Sequence, residues 1–315
     1  MTPLLEVEGL AARYPVRRLL AERLARWPRR FVHAVDGVSF TVDRGEMLAL
    51  VGESGCGKTS TAQAIMRMIG TTAGTIRLDG QDITHSSQRQ LRSLRRGIQL
   101  IYQDPYESLD PRFRVRDTIE EPMLVHGIGS SRRERRELVL AALERAGLSP
   151  AELFAGRYPH ELSGGQRQRV AIAAALVLSP ALLLADEPVS MLDVSVRAGV
   201  LSLIDGLRRD ASLGIVMITH DLSTAAHFAD RIAVMYLGRI VEYGSAKELV
   251  RDPRHPYTRA LLSVVPQRDP RHRAVPQLLR GETPNPVDIP AGCRFRGRCP
   301  VAEDRCAVID PPLAP

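Results

Sequence analysis

The sequence predicts an α/β fold built on a mainly parallel sheet, and three observations carry that expectation. Short apolar runs of strand type alternate with helical stretches along most of the 315 residues. One such run, Met47 to Val51, leads into Gly52-Glu53-Ser54-Gly55-Cys56-Gly57-Lys58-Thr59, which fits G-x-x-x-x-G-K-[ST]. Another, Leu182 to Ala185, ends at the paired carboxylates Asp186 and Glu187. Ligands of such sheets sit at the carboxyl ends of the strands, where both features fall.

Leu4 to Leu10 alternates enough to be a first strand, and Val38 to Val42 a second, closed by the turn Asp43-Arg44-Gly45-Glu46. Between them Val16 to Phe31 is a basic, weakly amphipathic insert, with six arginines around Leu19, Leu20, Leu24 and Trp27. It suits a solvated insertion, or a helix against acidic lipid. Thr61 to Ile69 reads as the helix after the glycine-rich loop. Thr75 to Leu78 is a strand turned by Asp79-Gly80, and Ile98 to Tyr102 a buried strand running into Gln103-Asp104-Pro105. Thr118 to Leu178 is mostly helical in pattern. Within it Ser131 and Glu134 are spaced as a capping box ahead of Leu138, Leu140 and Leu143. A helix from Gln166 to Leu178 is stopped by Pro180. Ala181 to Asp186, Ile215 to Thr219 and Ile232 to Tyr236 complete the buried strands, and from about Pro266 the composition turns to Pro, Arg and Gly.

Composition narrows the class. Hydrophobic residues make up 44% and charged residues 25%, ordinary for a globular protein. The net charge of +7 suits an anionic partner without choosing among nucleotide, nucleic acid and membrane. The N-terminus lacks a basic region followed by an apolar core, and the most apolar stretch, Val170 to Ala185, is broken by Ser179-Pro180. That stretch falls short of the roughly 20 residues a spanning helix needs. The expectation is a soluble, cytoplasmic chain.

The loop sets the chemistry. The loop residues Gly52, Ser54, Gly55, Cys56, Gly57, Lys58, Thr59 and Ser60, with the dipole of the helix that follows, favour phosphate. Gly55 and Gly57 allow unusual backbone angles and close approach, while Cys56 fills a position where the backbone does the binding. Lys58 supplies a point charge and Thr59 a hydroxyl for Mg²⁺. In any enzyme that cleaves the nucleotide a second acidic site is expected. Asp186 suits the metal, and Glu187 stands where a base for the attacking water would be.

Further motifs recur in one family's order across residues 4–265, and the chain resembles the ABC ATPases. Leu162-Ser163-Gly164-Gly165-Gln166 looks like their signature, Gln103 like the glutamine-loop residue, Ser190-Met191-Leu192-Asp193 like the D-loop, and His220 like the switch histidine. The resemblance implies a RecA-like core, an antiparallel β subdomain, a helical subdomain at about 105–180, and a C-terminal extension at 266–315 appended to an ATPase domain at 1–265. It also implies ATP and Mg²⁺ as cofactors. Glu187, His220 and Gln103 would act in hydrolysis, and Thr59, Gln103 and Asp186 around the metal. Tyr14 would stack on adenine, with Phe31 and Trp27 as alternatives. Ser163, Gly165 and Gln166 would act across an interface on the nucleotide of an opposite subunit, and Gly164 and Asp193 would also bind nucleotide. One loop and one signature per chain make a dimer necessary.

Finer details resemble the ATPases of oligopeptide, dipeptide and nickel importers, and within them the second of two paired subunits. These are Arg157-Tyr158-Pro159-His160-Glu161, Gln103 to Pro111, His255-Pro256-Tyr257-Thr258, and the cysteine tail from Gly292. The implied partners are a second ABC ATPase in a heterodimer, two integral-membrane permeases and, indirectly, an extracytoplasmic substrate-binding protein. The implied place is the cytoplasmic face of the membrane, with no nucleic acid bound. Nickel or oligosaccharide cargo is the near alternative to peptide. A soluble ABC ATPase acting on nucleic acid or ribosomes is the distant one. Two departures stand out: Met191 replaces the family's usual alanine, and Cys293, Cys299 and Cys306, spaced C-x₅-C-x₆-C, lack the fourth cysteine of cluster-bearing relatives. A [4Fe-4S] cluster and zinc each call for four ligands, so the trio is left between cluster, zinc and no metal.

Overall fold

The computed structural model describes residues 2–18, 28–265, 277, 279 and 281–313. The basic insert between Leu19 and Trp27, and the start of the compositional change at 266–276, lie outside the described residues. The chain forms two compact units, each assembled from separate segments.

The first unit comprises Met1–Leu4, Val42–Met47 and His85–Ile218. Three of its strands, β6 (Ile98–Ile101), β7 (Leu182–Asp186) and β8 (Gly214–Thr219), run parallel in the order β8-β7-β6. Every residue of β7 and β8 is buried. Strands covered on both faces read as unbroken apolar runs, which is why these two were plain in the sequence. β6 is only partly buried, and Tyr102 beyond it is 46% exposed. The expected buried strand there is thus shorter than its apolar run.

The helices of this unit follow local signals. After α2 (Gln88–Gly97), α3 (Val115–His126) ends at Gly127 in a left-handed conformation, with Ile128 N donating to Met123 O. Before α4 (Arg132–Arg145), Ser131 Oγ accepts from Glu134 N, as the spacing suggested. The reciprocal bond differs: Glu134 Oε2 takes the N–H and hydroxyl of Ser130 instead. The buried face of α4 is Val139, Ala142 and Leu143, and Leu138 is exposed. A short α5 (Ala151–Ala155) and a 3₁₀ turn at Pro159–Glu161 lead into α6 (Gly164–Leu176), and α7 (Val194–Ala211) follows β7.

The second unit comprises Leu5–Thr41, Leu48–Thr84 and Thr219–Pro315. It holds a four-stranded sheet, β2-β1-β4-β5, made of β1 (Leu5–Pro15), β2 (Phe31–Val42), β4 (Ala73–Leu78) and β5 (Gln81–Asp82). β4 runs antiparallel to both β1 and β5. Also here, β3 (Met47–Val51) pairs parallel with β9 (Arg231–Tyr236), and β9 pairs antiparallel with β10 (Arg239–Ser245). β1 and β2 are longer than their expected cores: β1 runs on to Pro15 and β2 begins at Phe31, and the added stretches include buried Ala11, Ala12 and Val35. Helices α1 (Lys58–Ile65), α8 (Leu222–Phe228), α9 (Ala246–Arg251) and α10 (Pro256–Ser263) complete this unit.

The C-terminal segment packs into the second unit. Phe295, 2% exposed, meets the rings of Tyr236 at 5.2 Å, His255 at 5.3 Å and Tyr257 at 5.6 Å. Arg294 donates to Leu237 O at 2.7 Å and pairs with Asp36, which Arg13 and Arg239 also approach. Burial opposes ionisation of Asp36, but the Arg294 hydrogen bond and the surrounding guanidinium charges outweigh it and hold the carboxyl low.

Candidate nucleotide site

In the second unit the glycine-rich loop joins β3 to α1. Gly57 is the residue before the helix, with φ of 108°, and a Cβ there would lie 2.1 Å from Ala34 O. Gly52 is closed in a similar way, since its Cβ would meet Met235 O at 2.3 Å. Only glycine fits these two positions. Gly55 has φ of 78° and open space around it. Gly57 offers no side-chain cap, so the first N–H groups of α1 keep their outward capacity, and the helix begins at Lys58 rather than at Thr61 as expected. Its first closed bond is Thr61 N to Gly57 O, 2.9 Å.

Lys58 is 5% exposed, and its ammonium donates to Gly52 O at 2.7 Å and Glu53 O at 3.0 Å. These carbonyls hold the charge at the mouth of the loop. Cys56 is buried, its O accepts from Gly238 N at 2.9 Å, and burial pushes its thiol up despite Lys58 nearby. That agrees with its reading as a backbone position. Ser54 and Thr59 are exposed, and Ser60 is half-buried. A cradle of this kind, with glycines where side chains would collide and an uncapped helix start, fits a nucleotide phosphate.

The acidic strand end belongs to the first unit. Asp186 is 5% exposed as the last residue of β7, an oxygen donor suited to Mg²⁺. Glu187 departs from the strand with φ of 44°, a left-handed conformation that costs a side-chain-bearing residue about 1–3 kcal/mol. Its backbone is fixed on both sides: Glu187 N donates to Ile218 O, and Ser190 donates N and Oγ to Glu187 O at 3.1 Å. Gln103 Nε2 donates to Glu187 Oε2 at 3.3 Å. The sequence separates these two by 84 positions, and the fold brings them together.

The signature residues open α6. Ser163 is its N-cap: Ser163 Oγ accepts from Gln166 N, and Ser163 N donates to Gln166 Oε1 at 3.0 Å. The glycine face of the helix meets the loop before α7. A Cβ on Gly164 would be 3.6 Å from Leu192, and one on Gly165 only 2.5 Å from Val196. Asp193 is exposed at the start of α7, and Met191 beside it is 56% exposed. Tyr106, named from the sequence only as part of the stretch Gln103 to Pro111, has its ring 4.1 Å from the Arg167 guanidinium, and its hydroxyl would be 3.6 Å from a Gly164 Cβ.

The remaining predicted residues are more scattered. His220 is exposed after β8, just before Asp221, which caps α8 through Ser223 N. Tyr14 is half-buried near the end of β1, with its hydroxyl 3.5 Å from Gln63 Oε1. Phe31, at the start of β2, is 37% exposed, and Trp27 lies outside the described residues.

The tail cysteines do not fit a metal. Cys293 N donates to Cys306 O at 2.9 Å, but no group of three or more His, Cys, Asp or Glu among the described residues is placed to hold an ion. Burial pushes the Cys293 thiol up, with the neighbouring Cys306 and Asp310 adding to the effect, whereas a ligand thiolate needs the reverse. The trio therefore does not offer the four thiolates that hold a [4Fe-4S] cluster.

Fold and loop together define a P-loop nucleotide-binding protein with an acidic strand end. Comparison with known proteins narrows this. The ABC transporter family model matches residues 35–190, and that of the oligopeptide/dipeptide transporter C-terminal region matches residues 241–306. A putative peptide import ATP-binding protein of Brucella ovis is 46% identical over 312 residues, covering 99% of this chain and 94% of its own. The oligopeptide transport ATP-binding protein AppF of Bacillus subtilis is 46% identical over 306 residues, covering 96% and 91%. Among solved structures, a dimeric ATP-binding cassette in a post-hydrolysis state bound to ADP and Pi matches with TM-score 0.66 and 28% identity, over 77% of this chain and 98% of that one. The cbiO1 protein of Clostridium perfringens, part of the transporter complex cbiONQ, matches with TM-score 0.67 and 27% identity, over 79% and 91%. The chain belongs to the ABC transporter family and is one of its ATPases, a class that works on ATP with Mg²⁺. Among the described residues no helix is long and apolar enough to cross a membrane.

Proposed function

We propose that this chain energises a binding-protein-dependent importer for peptides, working on the cytoplasmic face of the membrane. The match of residues 241–306 to the oligopeptide/dipeptide transporter C-terminal region carries this reading, because it covers a segment outside the matched ABC core. For function the chain divides into an ATPase domain at 1–265, with a helical subdomain at about 105–180, and an extension at 266–315. Its partners are two integral-membrane permeases, a second ABC ATPase in a heterodimer and, indirectly, an extracytoplasmic binding protein. The tail cysteines act as reduced thiols.

The residue roles are those that the family resemblance implies for these positions. Backbone N–H groups from Ser54 to Ser60 receive phosphate oxygens, and the Lys58 ammonium exchanges its carbonyl partners for them. Mg²⁺, when bound, would offset phosphate charge, and the Thr59 hydroxyl, the Asp186 carboxylate and Gln103 are the side chains that would hold it. Glu187, aimed by its constrained backbone and by Gln103, accepts the hydrogen of the attacking water. His220 contacts the terminal phosphate and Tyr14 the adenine. Ser163, Gly164, Gly165 and Gln166 offer the amino end of α6, with Asp193, to the nucleotide of the partner ATPase.

The test is peptide uptake in a strain lacking this chain, complemented by wild type or by Lys58→Ala. Wild type is expected to restore ATP-dependent uptake and to co-purify with permeases, and Lys58→Ala to abolish uptake while still co-purifying. Normal peptide uptake without the chain, or co-purification with nucleic acid instead of membrane protein, would overturn the assignment.

A further inference from the structure

Glu53, the second residue of the glycine-rich loop, is held by the C-terminal part of the chain. Arg298, 9% exposed, donates Nη1 to Glu53 Oε2 at 2.7 Å and Nη2 to Oε1 at 3.0 Å, a two-pronged pair. The Thr283 hydroxyl donates to the same Oε2 at 2.7 Å, and Glu53 N donates to the Tyr257 hydroxyl at 2.8 Å. Arg298 is itself anchored: its N donates to Phe295 O, and its guanidinium lies 5.9 Å from the centre of the Tyr236 ring. The pair spans 245 positions of sequence.

A carboxylate in a loop that must hold a polyanion is unfavourable unless it is offset. Lys58 already donates to the backbone oxygen of Glu53, so an unpaired Glu53 carboxylate would both repel phosphate and draw the lysine away from it. A planar guanidinium satisfies both carboxylate oxygens at once and fixes their direction. Burial pushes the Glu53 carboxyl up, yet the Arg298 and Thr283 hydrogen bonds and the charges of Arg298 and Lys58 keep it low, so the group stays ionised and matched to its partner.

We propose that Arg298 is a positioning residue for ATP: it holds Glu53 off the phosphates and leaves Lys58 to meet them, so that the C-terminal segment sets nucleotide affinity. This rests on reading Gly52 to Thr59 as the phosphate loop.

The experiment measures ATP KM and kcat of the full-length chain assembled with its membrane partners, alongside melting of the nucleotide-free protein. Arg298→Gln is expected to raise KM about tenfold with kcat within about twofold, the mark of lost ground-state binding. Arg298→Lys should fall between, because an ammonium lacks the fork. The Glu53→Gln/Arg298→Gln double variant should bring KM back toward wild type, since the charge that Arg298 offsets is gone. A purely structural role predicts the opposite: lower kcat and melting temperature at unchanged KM, and a double variant no better than the single. Either result overturns the proposal. Should Arg298→Gln fail to fold, Arg298→Lys and the double variant carry the same comparison. Lys58→Ala separates the two readings, scored by binding of a fluorescent ATP analogue. Retained binding would overturn the phosphate-loop reading and this inference with it. Lost binding with unchanged KM in the Arg298 variants would overturn this inference alone.

Discussion

Gly165→Ala examines how tightly the signature helix is seated on the segment that follows the D-loop. The added Cβ would lie 2.5 Å from Val196 Cγ1, where carbons pack at about 3.5–4.0 Å, so roughly 1 Å of movement is required. Val196 sits in the first turn of α7, and a β-branched side chain in a helix has one strongly preferred rotamer, so it cannot swing aside cheaply. Overpacking of this kind costs about 1–3 kcal/mol. Replacing a helical glycine returns roughly 0.5–1 kcal/mol of that. At mid-range the net loss should be about 1 kcal/mol, which for a chain of this size lowers the melting point by about 2–4 °C. The assay is thermal unfolding by circular dichroism of wild type, Gly165→Ala, Val196→Ala and the double variant. Because Val196→Ala removes the obstructing methyl, the pair should couple favourably by at least about 1 kcal/mol. A Gly165→Ala protein melting within about 1 °C of wild type, or strictly additive effects, would refute the packing argument.

Two further predictions concern the C-terminal segment and its neighbours. Phe295→Ala removes the ring enclosed by Tyr236, His255 and Tyr257, and should cost about 3–5 kcal/mol and open residues 281–313 to limited proteolysis. Unchanged digestion would count against that anchor. His255 accepts from Tyr257 N through Nδ1, and burial lowers its pKa, only partly opposed by Glu242. Its folded pKa lies below the unfolded value of about 6.5, so stability should fall as pH drops from 6.5 through the folded value. His255→Asn keeps the helix cap without titrating there, and should flatten the melting profile between about pH 7.5 and 5.5.

Much of the architecture was legible because burial leaves a direct trace in composition. Strands β7, β8 and β9 are covered on both faces and appear as apolar runs. The helix α6 was legible from its apolar pattern, but its start was placed at Gln166, whereas the bonds between Ser163 and Gln166 begin it at Gly164. Less legible features depend on partners that composition does not name. β1 runs on to Pro15 and β2 begins at Phe31 because neighbouring strands continue, although the residues there are partly exposed. The spacing of Ser131 and Glu134 gave the cap but not the return bond, in which Glu134 takes the N–H and hydroxyl of Ser130. The apolar count around Leu138 did not reveal which side of α4 would be covered, and Val139 took the buried place. The Glu53–Arg298 pair lay beyond any local pattern.

The most direct measurement of the central claim is ATP turnover by the complex assembled with its membrane partners, comparing wild type with Glu187→Gln. If Glu187, with its left-handed backbone and its contact with Gln103, acts as the proposed base, its loss should leave ATP binding intact. Turnover is expected to fall by at least about tenfold, within reach of the roughly 10²–10⁴-fold that a positioned base contributes. A variant that binds ATP and hydrolyses it at nearly the wild-type rate would contradict the account and move the chemistry to the partner subunit.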